Sequence, residues 1–275
     1  MKKVAIVGLG WLGMPLARAL AGRGWQVSGS KTTEDGVRAA RASGINACKL
    51  TLDPEPHCDK DDLADLLAVD ALVVTLPASR TAENSQQYVY AVQNIVDSAL
   101  ARKVKHIIFT SSTSVYGDAE GEVDEQSPLH PVTPAGRSLV QLEQWLHDLP
   151  GTSVDILRLA GLVGPGRHPG RFLAGKTGLS RGQQGVNLVH LDDVITAIIV
   201  LLENPASGRV YNLCAPQHPA REQYYPRLAR QAGWVAPEFI PQQGTQDGKI
   251  VAAQRICQQM GFEYQWPDPF DMPMQ

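Results

Sequence analysis

Three glycines, Gly8, Gly10 and Gly13, follow directly on the short apolar run at residues 4–7. After them Leu12, Leu16, Ala19 and Leu20 recur at helical spacing. A Gly-x-Gly-x-x-Gly turn between a strand and a helix suits the binding of a dinucleotide diphosphate. Gly8 permits the tight turn, Gly10 lets the backbone approach a pyrophosphate, and Gly13 lets helix and strand pack closely. The main-chain N–H groups from Gly10 through Trp11, Leu12 and Gly13 open the helix. They would face the phosphate oxygens, with the helix dipole adding roughly 0.3–1 kcal/mol.

The end of the next strand distinguishes the two pyridine dinucleotides. An acidic side chain there would accept hydrogen bonds from the ribose 2′-hydroxyl and favour NAD. The segment instead reads Gly29-Ser30-Lys31-Thr32-Thr33. Ser30 and Thr32 offer hydroxyls and Lys31 a cation, which suits a 2′-phosphate. NADP is therefore the expected cofactor, with NAD possible. Glu34 and Asp35 come late and belong to the start of the following helix.

Other chemistry-bearing residues are scattered. Ser112 and Tyr116 lie just beyond the apolar strand around residues 106–110. The C-terminal edge of such a strand is where open α/β sheets bind ligands. His190 has a near-neutral intrinsic pKa but reads as a structural hydrogen-bonder, and Asp192 or Asp193 as a helix cap. Arg167 and His168 sit in a Gly/Pro-rich loop and could meet a phosphorylated or nucleotide-linked substrate. The role of Arg80 is open. No His/Asp/Glu cluster has metal-ligand spacing, so no metal is expected.

The elements that must position these groups alternate regularly. Strands are expected near residues 4–7, 26–30, 47–52, 71–75, 106–110 and 153–157, separated by helices near 34–42, 61–67 and 84–102 and one opening at Thr133-Pro134. That alternation predicts an α/β, Rossmann-type, doubly wound parallel sheet. The rhythm changes after Arg158. A dinucleotide-binding core over residues 1–158 and a smaller α/β substrate lobe over 159–275, partly packing back on the core, are the expected domains. The proline-rich tail near 266–274 is expected to lie over the surface.

Composition excludes several classes. With 25 basic and 28 acidic side chains in 275 residues, the chain lacks the charge of a protein that holds nucleic acid by bulk electrostatics. No apolar run is long enough for a membrane span. Lys2 and Lys3 before an apolar stretch, with Ala19-Leu20-Ala21 beyond, imitate an export signal. Cleavage there would remove the glycine turn, so a cytoplasmic location is expected. Four dispersed cysteines without a Cys-x-x-Cys pair fit a reducing compartment. Apolar helix faces near Val92 and Leu142 leave monomer and homodimer both open.

Later segments carry a family resemblance. Phe109-Thr110-Ser111-Ser112-Thr113-Ser114-Val115-Tyr116-Gly117 resembles the fifth-strand motif of extended short-chain dehydrogenases/reductases, the NAD-dependent epimerase/dehydratase superfamily. Leu157-Arg158-Leu159 leading into Gly164-Pro165-Gly166-Arg167, then residues 189–194 and 210–213, are similar to further hallmarks in family order. Within that superfamily the pattern resembles a YeeZ-like group of bacterial proteins. The resemblance implies a Rossmann core, a bound dinucleotide contacted also near Leu76, Pro77 and Ser111, and a small-molecule substrate under the C-terminal lobe. It implies that Ser112 matches the catalytic serine and offers Tyr116 as a stand-in acid.

Two departures stand out. The family's usual glycine spacing is Gly-x-x-Gly-x-x-Gly. The resemblance also implies a Tyr-x-x-x-Lys pair on the helix after the fifth strand, and alignment puts Ala135 and Leu139 there, with Glu143 matching a further family residue. Ala135, Leu139, Leu142 and Leu146 share one apolar helical face. General acid–base catalysis is typically worth about 10²–10⁴-fold. Two functions follow: an atypical oxidoreductase or epimerase acting on a polar carbonyl or nucleotide-linked compound, or a non-catalytic dinucleotide sensor.

Overall fold

The computed structural model describes residues 2–206, 208–241 and 248–274. Its centre is a seven-stranded sheet built from β1 (Lys3–Val7), β2 (Gln26–Lys31), β3 (Asn46–Lys49), β4 (Ala71–Val74), β5 (His106–Ser112), β6 (Ser153–Leu159) and β7 (Arg209–Leu213). The spatial order is β7-β6-β5-β4-β1-β2-β3. The β1–β2, β2–β3, β1–β4 and β4–β5 pairs all run parallel. Parallel strands covered on both faces read as unbroken apolar runs, and Val4, Ala5, Ile6, Leu72, Val73 and Val74 are fully buried. The expected α/β Rossmann-type fold is the one found.

Chain order reverses between β1 and β4. The chain runs outward from β1 through β2 to β3, then returns to the other side of β1. Such a switch point leaves a crevice at the carboxyl ends of β1 and β4, where open α/β sheets receive ligands. Helices α1 (Gly13–Gly22), α2 (Glu34–Ala42), α3 (Lys60–Leu66), α4 (Ser85–Ala101) and α5 (Pro134–His147) supply the crossovers. Thr33 caps α2 by accepting from Gly36 N, and Thr133 caps α5 by accepting from Gly136 N with Pro134 in the first turn. At the far edge, the buried Asp155 carboxylate takes the His106 ring at 2.8 Å and Arg209 Nε at 2.7 Å, joining β5, β6 and β7.

The chain divides into two compact units, both discontinuous. The first comprises Met1–Val115, Pro131–Arg158 and Ile195–Val210; the second comprises Tyr116–His130, Leu159–Val194 and Tyr211–Gln275. The second holds α6 (Gly170–Leu173), α8 (Arg221–Gln231) and α9 (Gln254–Met260), while α7 (Leu191–Glu203) begins in the second unit and ends in the first. Its core gathers Val163, Val186, Leu188, Ala215, Tyr224, Leu228 and Met272.

Three local expectations need correction. The third strand stops at Lys49; Thr51–Leu52 turns away to pair antiparallel with Pro56–His57. The tail is not a surface strap. Pro269 and Met272 are buried, and Pro273 O accepts from His190 Nε2 at 2.9 Å. The Asp193 carboxylate receives Gln265 N at 2.7 Å and Trp266 N at 3.3 Å, so it anchors the start of the tail rather than capping α7.

Candidate dinucleotide cleft

The first unit carries a cleft of ≈ 460 Å³ at the switch point. Its floor is the glycine turn. Gly8 adopts φ +105°, a conformation open mainly to glycine. Thr75 Oγ1 donates to Gly8 O at 2.7 Å, and Gly10 N donates to the same oxygen at 2.8 Å. Ser30 holds the turn from the other side: its Oγ accepts Gly8 N at 3.2 Å and its carbonyl accepts Leu9 N at 2.9 Å.

The other two glycines answer to different constraints. A Cβ on Gly13 would lie 2.1 Å from Gly8 O, so main-chain packing alone demands glycine there. A Cβ on Gly10 would meet nothing within 4 Å. Gly10 lines the cleft, so the open space beside it is room for a ligand to approach the backbone. This cradle fits a dinucleotide diphosphate.

Of the sequence-predicted residues, Gly8, Gly10, Ser30, Lys31, Thr32, Leu76 and Pro77 come together along the cleft wall. Leu12 and Gly13 stand behind them at the start of α1, and Trp11 in the turn before it. The aliphatic stem of Lys31 lies along α2, where a Cβ on Gly36 would be 3.2 Å from its Cδ. Glu34 pairs with Lys49 at 3.4 Å outside the cleft. Sequence reasoning missed Asp53, Gln87, Tyr88 and Ala91, which also line it. Tyr88 donates to Leu76 O at 3.2 Å, and burial raises its phenol pKa.

Ser111 and Ser112 diverge. The Ser111 hydroxyl donates to the buried Glu143 carboxylate, which also receives Arg158 Nη2 at 2.7 Å and Nε at 3.1 Å. The Ser111 side chain is thus tied to α5 and β6. Ser112 Oγ is half-buried and accepts Ser114 N at 3.1 Å, while its own O–H meets no acceptor among the described residues. Ser112 closes β5, whose neighbour β4 leads into the cleft residues Leu76 and Pro77.

Tyr116 is fully buried in the second unit and donates to Asn212 Oδ1 at 2.7 Å. On α5, Ala135 is half-buried and Leu139 buried. His190 is buried, its Nδ1 accepting Asp192 N at 3.2 Å, which is the structural role expected of it. No three His, Cys, Asp or Glu among the described residues stand as a metal would require. No described helix is long and apolar enough to cross a membrane.

With this geometry in place, comparison with known proteins decides the family. The sequence profile of the NAD dependent epimerase/dehydratase family matches residues 4–214. The chain belongs to that family. Another family-like sequence, protein YeeZ of Escherichia coli K12, is 62% identical over 275 residues, covering 100% of both chains. Solved structures share the fold. A short-chain dehydrogenase/reductase superfamily protein from Agrobacterium tumefaciens, with bound NAD, has a TM-score of 0.75 at 21% identity, covering 96% of this chain and 93% of that one. The UDP-glucose 4-epimerase of Thermotoga maritima, with UDP-glucose, has a TM-score of 0.75 at 17% identity, covering 96% and 94%.

Proposed function

We propose that this member of the epimerase/dehydratase family is an NAD(P)-dependent oxidoreductase or epimerase of the extended short-chain class that works without the family's Tyr-x-x-x-Lys pair. The observation that carries the reading is the glycine-floored cleft at the sheet's switch point, open beside Gly10. Gly8 and Gly10 would let the diphosphate approach the turn closely, and the main-chain N–H groups at the start of α1 would hold it. Leu76 and Pro77 would flank the cofactor. Lys31, with Ser30 and Thr32, would face the adenosine ribose, and its charge underlies our preference for NADP over NAD. The nicotinamide, when bound, supplies the hydride donor or acceptor.

On the substrate side, the O–H of Ser112 would donate to a carbonyl oxygen and orient it. Ala135 and Leu139 offer no proton, and the Tyr116 hydroxyl is directed to Asn212. Water would therefore carry the proton, at a cost of about 10²–10⁴ in rate relative to a positioned acid. The nucleotide sugar named for the Thermotoga neighbour supports a polar, nucleotide-linked substrate. The apolar face of α5, with Ala135 and Leu139 where the family's pair would stand, favours a second reading, a dinucleotide sensor whose conformations differ in cofactor affinity.

Single-turnover absorbance of the reduced nicotinamide, with nucleotide-linked carbonyl compounds, tests the proposal. Ser112→Ala is expected to slow hydride transfer by about 10–100-fold, the worth of one charge-orienting hydrogen bond, with cofactor affinity unchanged. Tight cofactor binding with no transfer to or from any compound would overturn the enzyme and leave the sensor.

A further inference from the structure

We infer that the second unit carries its own small-molecule site, one that takes a planar aromatic ring bearing an anionic group. The site is a recess of ≈ 670 Å³, lined by His168, Arg171, Gln231, Trp234, Phe270 and Met272 among others. That volume lies in the range of ligand pockets. The inference does not depend on the dinucleotide reading, because every lining residue belongs to the second unit.

The local packing explains how the sequence builds it. Gly170 opens α6 against α8 so closely that a Cβ would lie 2.9 Å from Ala229 N and from Leu228 C. Only glycine permits that approach, and it sets the 166–171 loop beside Trp234. The His168 ring meets Trp234 edge-on, with centroids 5.0 Å apart at 84°. The Arg171 guanidinium stands 5.8 Å from the Trp234 ring centre.

The chemistry of the lining selects the ligand. His168 Nδ1 accepts Gly170 N at 3.1 Å, so the neutral ring carries its proton on Nε2. Burial lowers the pKa of His168 and favours that neutral form. Its Nε2–H meets no acceptor among the described residues. Arg171 likewise meets no carboxylate among them, and no Asp or Glu lines the recess. Donors and the Arg171 charge thus line the recess with no lining carboxylate, beside indole, phenyl and thioether surface. Arg227 stacks over Phe270 at 4.5 Å on the same wall. A cation would be repelled here, and an aliphatic chain would leave the donors unmet. A flat ring can lie on the aromatic and methionine surface while its carboxylate or phosphate takes Arg171 and His168.

The test uses the full chain, with and without added NADP, and phenyl phosphate as probe. The indole N–H resonance of Trp234, assigned by its loss in Trp234→Phe, is followed by nuclear magnetic resonance. A saturable shift below about 10 mM is expected. Inorganic phosphate and benzyl alcohol should each bind at least about tenfold more weakly, as should phenyl phosphate to Arg171→Gln. Arg171 is exposed, so that variant keeps its fold, which the unchanged dispersion of the other resonances would verify. Absence of a saturable shift overturns the site. Equal binding of inorganic phosphate overturns the aromatic component, equal binding of benzyl alcohol the anionic one, and an unaffected Arg171→Gln the assigned guanidinium.

Discussion

Gly10 and Gly13 lie three residues apart in one motif, yet the structure predicts opposite consequences for the same added methyl. In Gly13→Ala the new Cβ would sit 2.1 Å from Gly8 O and 3.3 Å from Ile6 Cγ2. Neither neighbour is the far end of a flexible side chain: one is main chain and the other belongs to a fully buried strand residue. Overpacking of this kind costs about 1–3 kcal/mol. For a chain of this size that lowers the thermal midpoint by roughly 2–10 °C. In Gly10→Ala the Cβ meets nothing within 4 Å of protein. Stability should stay within about 0.5 kcal/mol of wild type. The methyl would instead occupy the space kept for a diphosphate and weaken dinucleotide binding at least tenfold, about 1.4 kcal/mol. Thermal unfolding and calorimetric titration of the two variants separate the effects. If Gly10→Ala binds like wild type, or if Gly13→Ala melts at the wild-type temperature, the assignment of the two glycines is wrong.

Further outcomes follow from other parts of the molecule. Lys31→Glu should lower NADP affinity by at least about tenfold while sparing or improving that for NAD, read by titration with each. Glu143→Ala removes the carboxylate that pairs with buried Arg158 and receives Ser111, and should cost about 3–5 kcal/mol in urea unfolding. Burial lowers the His218 pKa, against the opposing effects of its bond to Val186 O and of Glu122. The native ring therefore resists protonation, and the unfolded chain takes up the proton first. Stability should decline as pH falls through the ordinary histidine value of about 6.5 and on toward the lower native one, and His218→Gln should flatten that slope below about pH 6.5.

Local patterns carried much of the architecture into the sequence. The apolar runs of β1 and β4, the Thr33 and Thr133 caps and the glycine turn each involve neighbours a few residues apart, so composition and spacing reveal them. The remainder depends on residues distant in the chain. The bond from Ser111 to Glu143, and from Arg158 to the same carboxylate, joins β5 to α5 and β6 and is not announced by the Ser111 motif itself. Asp53 enters the cleft only because the chain turns away after Lys49 into a small antiparallel pair. The strand Lys249–Val251 pairs parallel with Gly121–Val123, and no periodicity in either segment announces a partner so far away. Met272 is buried although three prolines surround it, because the second unit's core has a place for its thioether that hydropathy alone does not show.

The most direct measurement is calorimetric titration of the intact protein with NADP and with NAD, backed by the shift each produces in thermal unfolding. One saturable site should appear below about 100 µM, with NADP the tighter of the two by at least about tenfold. If neither nucleotide releases heat or raises the melting temperature at concentrations up to about 10 mM, the cleft at the sheet's switch point is not a dinucleotide site.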